Sequence, residues 1–166
     1  MKTRFLCGVL ILIAAALFAQ SDSQILKELQ RRIGPGTGVT ISVQNGVVTL
    51  NGTTTSLAQK LSIINMARRT IGITSVVDRA NVVPAVKWTD AKISETIRQA
   101  LNLNLSKDER NAIKVQVQNG VVTLTGALPS SYPKQVVGVL ASLVTGVVEV
   151  RNEIVVRPTQ TRADTD

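Results

Sequence analysis

The chain has 166 residues, which is enough for one ordinary domain or for two very small ones. It carries 19 Lys and Arg residues against 11 Asp and Glu residues, a formal net charge of +8, and its apolar residues are nearly all aliphatic. Because it has no histidine and only one cysteine, Cys7, the sequence excludes Cys/His zinc sites and both Ser-His-Asp and Cys-His catalysis.

The first 19 residues have the form of a cleavable export signal. Lys2 and Arg4 precede residues 5–19, an uncharged run that is shorter than the about 20 apolar residues a membrane-spanning helix needs. This pattern predicts a signal peptide at residues 1–19 and a periplasmic mature protein; cleavage within residues 14–16 and a retained anchor are the alternatives. Cys7 precedes most of the apolar run, so we expect that the protein is not a lipoprotein.

An apolar pattern before Gly34 predicts the first helix. Ile25, Leu29 and Ile33 are spaced at i, i+4 and i+8, so they share one face of a helix. Short polar side chains can cap the start of this helix, and a glycine followed by a proline stops it. These residues are Asp22 or Ser23 at the start, and Gly34 with Pro35 at the end.

A β-hairpin follows, because residues 39–44 alternate strictly between apolar and polar side chains. Asn45-Gly46 is the favoured pair for a two-residue type I′ turn, since both positions need a positive φ. This turn fixes the register of the strands and places their aliphatic side chains on one face. The predicted pairs are Val43 with Val48, Ile41 with Leu50, and Val39 with Gly52, a glycine that leaves room for a helix to approach closely.

A second helix and a last strand complete the unit. Ser56 is expected to cap the helix, which runs to about Ile71 and is ended by Gly72. The last strand is predicted at residues 75–83. The predicted class is α+β with the order αββαβ, in which two helices pack on one face of a three-stranded mixed sheet.

The same unit occurs twice in the chain. Residues 43–50 recur identically as residues 117–124, and the correspondence runs without a gap between residues 39–84 and 113–158. Upstream, the first helices also correspond, with a six-residue difference that falls in a loop, where insertions cost little. The predicted domains are residues 20–86 and 87–158, followed by a disordered tail at residues 159–166.

The second copy predicts the same elements. Thr89 or Asp90 caps its first helix, and Ser130 or Ser131 caps its second, with Pro133 tolerated in the first turn. The inserted loop covers residues 102–112, and the last strand covers residues 149–157. The hairpin pairs are Val117 with Val122, Val115 with Leu124, and Ile113 with Gly126.

Three features resemble the BON (bacterial OsmY and nodulation) domain: the two-copy αββαβ plan, the Asn-Gly hairpin ending in Leu-x-Gly, and the Gly-Val-x-x-Val-x-Asn sequence of residues 146–152. The resemblance covers nearly all of the chain after the signal, although the first copy departs from the pattern at residues 72–78. It implies a tandem-BON periplasmic protein of a kind implicated in envelope integrity and osmotic stress, some members of which associate with phospholipid. It implies no shared catalytic residues.

The acidic residues form no recognisable active site. They are scattered, and the one adjacent pair, Asp108-Glu109, is expected at a solvated loop tip. Residues 34–38 are glycine-rich but run from a helix into a strand and lack lysine, unlike a phosphate-binding loop. We therefore expect no enzyme, cofactor, metal site or small-molecule substrate. The export signal and the few aromatic residues also argue against nucleic acid.

The basic residues favour an anionic membrane surface. Trp88, the only tryptophan, follows Lys87 and precedes Lys92 and Arg98, a combination that suits a lipid headgroup interface. The alternative for Trp88 is a place in the seam between the two domains. A second basic set lies on the second helix of the first copy, unless it is an ordinary solvated face; its members are Lys60, Arg68 and Arg69.

The second helices of the two copies differ in one stripe. Ser62, Asn65 and Arg69 of the first copy correspond to Val136, Val139 and Leu143 of the second. Exposed aliphatic residues on a small domain need a partner. The candidates are the first copy, another protein or a second copy of the chain, and lipid, in that order.

Two functions follow from the sequence. The first is a non-catalytic periplasmic protein that binds phospholipid membrane surfaces and supports envelope integrity or osmotic stress tolerance. The alternative is a periplasmic adaptor or homo-oligomer that binds envelope proteins through the apolar stripe of the second domain.

Overall fold

A computed structural model describes residues 21–158 of the chain. The predicted signal peptide (residues 1–19) and the predicted tail (residues 159–166) lie outside the described residues. Two compact units can be distinguished, and each is described by itself. Within the described residues, the first unit contains residues 21–53 and Leu61–Asn81, and the second contains Thr54–Lys60 and residues 82–158.

A helix, a hairpin, a second helix and a third strand follow one another in the first repeat. Its sheet has the order β1-β2-β3, so the hairpin provides two adjacent strands and the third strand pairs with the second. The elements are α1 (Asp22–Ile33), β1 (Val39–Gln44), β2 (Val47–Thr54), α2 (Leu57–Arg68) and β3 (Ser75–Val82).

The second repeat has the same order with one added helix and a divided last strand. Its central strand pairs antiparallel with the strand before it and parallel with the two short strands that end the repeat. The elements are α3 (Asp90–Asn104), α4 (Lys107–Asn111), β4 (Ile113–Gln118), β5 (Val121–Leu128), α5 (Ser131–Ser142), β6 (Glu149–Asn152) and β7 (Val155–Val156). The predicted α+β class with two tandem αββαβ domains is confirmed.

Both hairpins have the predicted register. Every pair expected from the turn is present, including Val43 with Val48 and Val117 with Val122. The φ angles of Asn45 and Asn119 are 51° and 52°, and each is followed by a glycine with positive φ. The turn pair therefore determines the register, because a type I′ turn needs two residues that tolerate positive φ.

Each unit has its own aliphatic core, formed by one face of a helix pair against one face of a sheet. Side chains of this kind stabilise a fold by about 1.5–3 kcal/mol each when fully buried. The first core contains Ile25, Leu29, Val48, Leu50, Ile63, Ile64 and Ala67. The second contains Leu57, Ile93, Ile97, Leu101, Ile113, Val115, Val122, Leu124, Leu128, Val137, Ala141, Val147 and Ile154.

The caps of the first helices differ in part from the prediction. The N-cap of α1 is Ser21, so the expected capping by Asp22 or Ser23 is wrong. The N-cap of α3 is Thr89, one of the two predicted residues, and its hydroxyl accepts a hydrogen bond from the Lys92 amide at 3.3 Å. The aspartates that begin these helices have another role, which is described below.

The second half of each repeat also departs from the expected boundaries. Ser56 caps α2 as predicted, through a 3.1 Å bond from the Gln59 amide, but the helix ends at Arg68 rather than near Ile71. The expected strand at residues 149–157 is divided, because the Ile154 amide turns towards the Asn152 side chain. The Ile154 side chain is buried at this break.

The glycine at the end of each hairpin makes room for backbone rather than for a helix. A Cβ atom on Gly52 would overlap the carbonyl oxygen of Gly38, and one on Gly126 would overlap that of Ala112. Both glycines have positive φ, at 116° and 134°. The expectation of a close helix approach is therefore wrong.

Among residues 21–158, no helix is long and apolar enough to cross a membrane.

Candidate functional site

The start of α3, the β4–β5 turn and the loop before β6 meet at one end of the second unit, here called the Trp88 end. The Asp90 carboxylate accepts hydrogen bonds from the Asn119 amide at 2.7 Å and from the Gly120 amide at 2.9 Å. A Cβ on Gly146 would lie 3.1 Å from Cδ1 of Ile93 and 3.2 Å from Cβ of Trp88. The backbone around Trp88 is therefore fixed on two sides.

Trp88 is half-buried and packs against the second core. The Nζ atom of Lys92, one turn into α3, lies 5.8 Å from the centroid of its ring, within the range of a cation–π interaction. Lys87 is exposed and, together with Trp88, lines an open depression of about 380 Å³. Three of the predicted lipid-binding residues, Lys87, Trp88 and Lys92, thus lie at the Trp88 end, with the Lys92 ammonium beside the indole.

Arg98 lies elsewhere on α3. It follows Lys92 by six residues, which places the two side chains on different sides of a helix with 3.6 residues per turn. Arg98 instead lines a second depression, together with Arg110 and Lys114.

The basic residues of the first repeat are not gathered into one cluster. Lys60 is half-buried in the first part of α2, whereas Arg68 and Arg69 are exposed at and beyond its end. The pKa of the Glu149 carboxyl is lowered, chiefly by a 2.9 Å hydrogen bond from Arg151 and to a smaller extent by the charge of Lys60. Lys60 therefore acts in part on a neighbouring acid.

Part of the positive charge on α1 is neutralised within the helix. Glu28 accepts hydrogen bonds from Arg31 at 2.8 Å and from Arg32 at 2.6 Å. These bonds lower the pKa of the Glu28 carboxyl to about 2. The two arginines of α1 are consequently poorer candidates for an anionic surface than the lysines at the Trp88 end.

The apolar stripe lies on the outer face of α5. Val139 and Leu143 are 57% and 62% exposed, and Val136 is half-buried. Tyr132, which is 75% exposed, extends this stripe by one turn. The sequence interpretation missed Tyr132, although its position four residues before Val136 places it on the same face.

The added helix α4 was also missed, because residues 102–112 were expected to be a loop. Ser106 and Glu109 form a capping box in which the Ser106 amide donates to the Glu109 carboxylate at 2.9 Å. That bond and the one from the Ser106 hydroxyl lower the pKa of the Glu109 carboxyl. The Ser-x-x-Glu spacing was the available signal.

Polar side chains on the last strands satisfy nearby backbone groups. Asp78 accepts a 3.0 Å hydrogen bond from the Ala80 amide, and Asn152 donates a 2.8 Å bond to the carbonyl oxygen of Lys134 on α5. Within residues 21–158, no group of three or more acidic, His or Cys side chains could hold a metal ion.

Comparison with known proteins identifies one domain type in both repeats. A family model described as the BON domain matches residues 21–84 and residues 89–158. No curated protein matches the chain.

Two solved structures of CdsD, a structural protein of the type III secretion system of Chlamydia trachomatis, are similar to the chain. One, of the C-terminal domain, is 15% identical with a TM-score of 0.34, and the match covers 84% of this chain and 68% of that one. The other is 14% identical with a TM-score of 0.35 and covers 85% of this chain and 66% of that one. Likeness at this level carries no inference about function.

Proposed function

The chain belongs to the BON domain family, and from that premise we propose that it is a non-catalytic periplasmic protein that binds the surface of anionic phospholipid membranes. BON domains are associated with phospholipid binding and envelope stress, and they are generally non-catalytic. Surface binding would let the protein support envelope integrity or tolerance of osmotic stress without turning over a substrate.

The observation that carries the proposal is the arrangement at the Trp88 end. A half-buried indole with Lys87 beside it and the Lys92 ammonium 5.8 Å from its ring combines an amphipathic aromatic group with two positive charges. Tryptophan favours the headgroup region of a bilayer, and each base near an anionic surface contributes about 1 kcal/mol. The exposed Arg68 and Arg69, and Lys60, add longer-range attraction.

Sedimentation with vesicles tests this function. We expect the mature protein to sediment with phosphatidylglycerol vesicles but not with phosphatidylcholine vesicles, and added salt to weaken the association by screening the charges. The Lys87→Gln/Lys92→Gln variant should bind the anionic vesicles about thirtyfold more weakly, because it lacks two bases.

The matched control is Lys27→Gln/Arg79→Gln, which removes the same charge from exposed positions of the first unit. Equal weakening in the control would mean that only net charge matters. Equal sedimentation with neutral vesicles would rule out an anionic surface as the ligand.

A second candidate function rests on the exposed stripe of α5. Tyr132, Val139 and Leu143 are each more than half exposed on one helix face. Such a stripe supports a protein–protein adaptor or a homo-oligomer of periplasmic chains. Size-exclusion chromatography with light scattering tests self-association, and Val139→Asp should abolish any dimer that uses this face.

A further inference from the structure

Three basic residues from three different elements line one open depression of about 530 Å³ in the second unit, here called the Arg110 depression. Arg98 comes from α3, Arg110 from α4 and Lys114 from β4. Amide side chains that can also donate hydrogen bonds complete the polar lining: Asn102, Asn111 and Gln116. No acidic side chain is among the described residues that line it.

The added helix α4 separates charges of opposite sign. Its acids, Asp108 and Glu109, line a different depression, whereas Arg110 and Asn111 line the Arg110 depression. The capping box of Ser106 and Glu109 fixes the start of the helix. Arg110 is half-buried and lines the same depression as the other two bases.

The first repeat has none of these three bases. Arg98 corresponds to Gln30 and Lys114 to Thr40, while Arg110 lies in the segment that only the second repeat contains. Since the first repeat folds with the same helix, hairpin and register, the fold does not need the three charges. The three bases around this depression are therefore an addition specific to the second repeat.

Three like charges around one depression repel one another unless an anion lies between them. Arginine presents a planar fork of donors that matches phosphate oxygens, and lysine adds a compact positive charge. We propose that the Arg110 depression is a binding site for a phosphate group, carried either by a lipid headgroup or by a soluble phosphate compound. It is distinct from the Trp88 end, where Lys87 and Trp88 line a different depression at the start of α3.

Titration calorimetry with inorganic pyrophosphate, and sedimentation with phosphatidylglycerol vesicles, test the site in the mature chain. We expect Arg98→Gln/Arg110→Gln/Lys114→Gln to bind at least about tenfold more weakly than wild type in one of the two assays, because charge-assisted hydrogen bonds are lost. Weaker pyrophosphate binding indicates a soluble phosphate compound. Weaker vesicle binding without pyrophosphate binding indicates a headgroup.

The control Lys27→Gln/Arg79→Gln/Arg157→Gln removes two arginines and one lysine from exposed positions outside the depression. The Arg98→Gln/Lys114→Gln variant leaves the sequence of α4 unchanged, and it should also bind pyrophosphate or the vesicles more weakly than wild type. Circular dichroism checks that this variant folds. If neither assay distinguishes these variants from the control, the depression is not a phosphate site.

The Lys87→Gln/Lys92→Gln variant separates this inference from the proposed function. This variant should lose vesicle binding through the Trp88 end. If the wild type binds pyrophosphate, the variant should bind it with the same affinity. If the vesicle assay shows no membrane binding at the Trp88 end, the pyrophosphate assay therefore still tests the Arg110 depression.

Discussion

Asp22 and Asp90 occupy the first position of their helices and bind the hairpin turn of the same repeat. Asp22 accepts from the amides of Asn45 and Gly46 at 2.7 and 3.0 Å, as Asp90 does from those of Asn119 and Gly120. Each carboxylate thus satisfies two backbone amides of the turn. It also places a negative charge at a helix N-terminus, where the helix dipole favours it.

Asp90→Ala tests this contact at the level of one residue. The substitution leaves the Asn119 and Gly120 amides without their acceptor, so we expect the free energy of unfolding to fall by about 1–3 kcal/mol. Urea denaturation followed by circular dichroism measures the change. Asp108→Ala, at an exposed position of α4, is the control; an equal loss there would mean that the turn contact contributes nothing specific.

The sequence predicted the position of these aspartates but not their partners. Asp22 and Asp90 were recognisable as helix-start residues, because their type and place fit a cap. The bonds to the turn depend on tertiary packing between segments that are more than twenty residues apart in the chain, and local patterns do not contain that information. Local patterns likewise do not show that Arg98 and Arg110, which belong to different helices twelve positions apart, line one depression.

Among the elements, α5 carries two apolar faces with different roles. Val137 is fully buried in the second core, whereas Val139, two residues later, is 57% exposed. The outer face is therefore available for contact, and the inner face is needed for folding.

Val139→Asp and Val137→Asp separate the two faces. The first should change the free energy of unfolding by no more than about 0.5 kcal/mol, because its side chain remains in water. The second should prevent folding, since it buries an unpaired carboxylate. Thermal unfolding compares them, and loss of the fold in Val139→Asp would show that the stripe belongs to the core.

Element boundaries were predicted well where a strong local signal exists. The Asn-Gly turns fixed both hairpins, and Gly34 ended α1 as expected. The division between β6 and β7 escaped prediction, because an alternating run gives no sign that the Ile154 amide will bond to the Asn152 side chain. Helix α2 also ended before Ile71, where the Thr70 amide donates to the Ala67 carbonyl oxygen in a tighter turn.

For the whole molecule, the two repeats share a framework and differ in what is added to it. The hairpin, the aspartate contact and the aliphatic core occur in both. The Trp88 end, the Arg110 depression and the stripe on α5 belong to the second repeat. Binding functions are therefore expected there.

Replacing the loop that contains α4 tests whether the second repeat folds without this added segment. Residues 102–112 are replaced by residues 34–38, the corresponding loop of the first repeat. We expect the second unit to keep its hairpin and to lose about 1–2 kcal/mol, mainly through the partly buried Leu105. Pyrophosphate binding should disappear with Arg110. Amide NMR spectra report the hairpin, and loss of the Asn119 and Gly120 signals from their native positions would mean that α4 supports the fold.

The aspartate contact has a consequence for how each repeat assembles. The hairpin closes through neighbouring residues, so its formation costs little chain entropy, whereas the aspartate must return across 23 to 30 positions of sequence. Its acceptor geometry exists only after the turn amides have adopted their positive-φ arrangement. We therefore expect the turn to form first and the helix start to dock onto it afterwards, so that loss of the carboxylate would speed unfolding more than it slows folding.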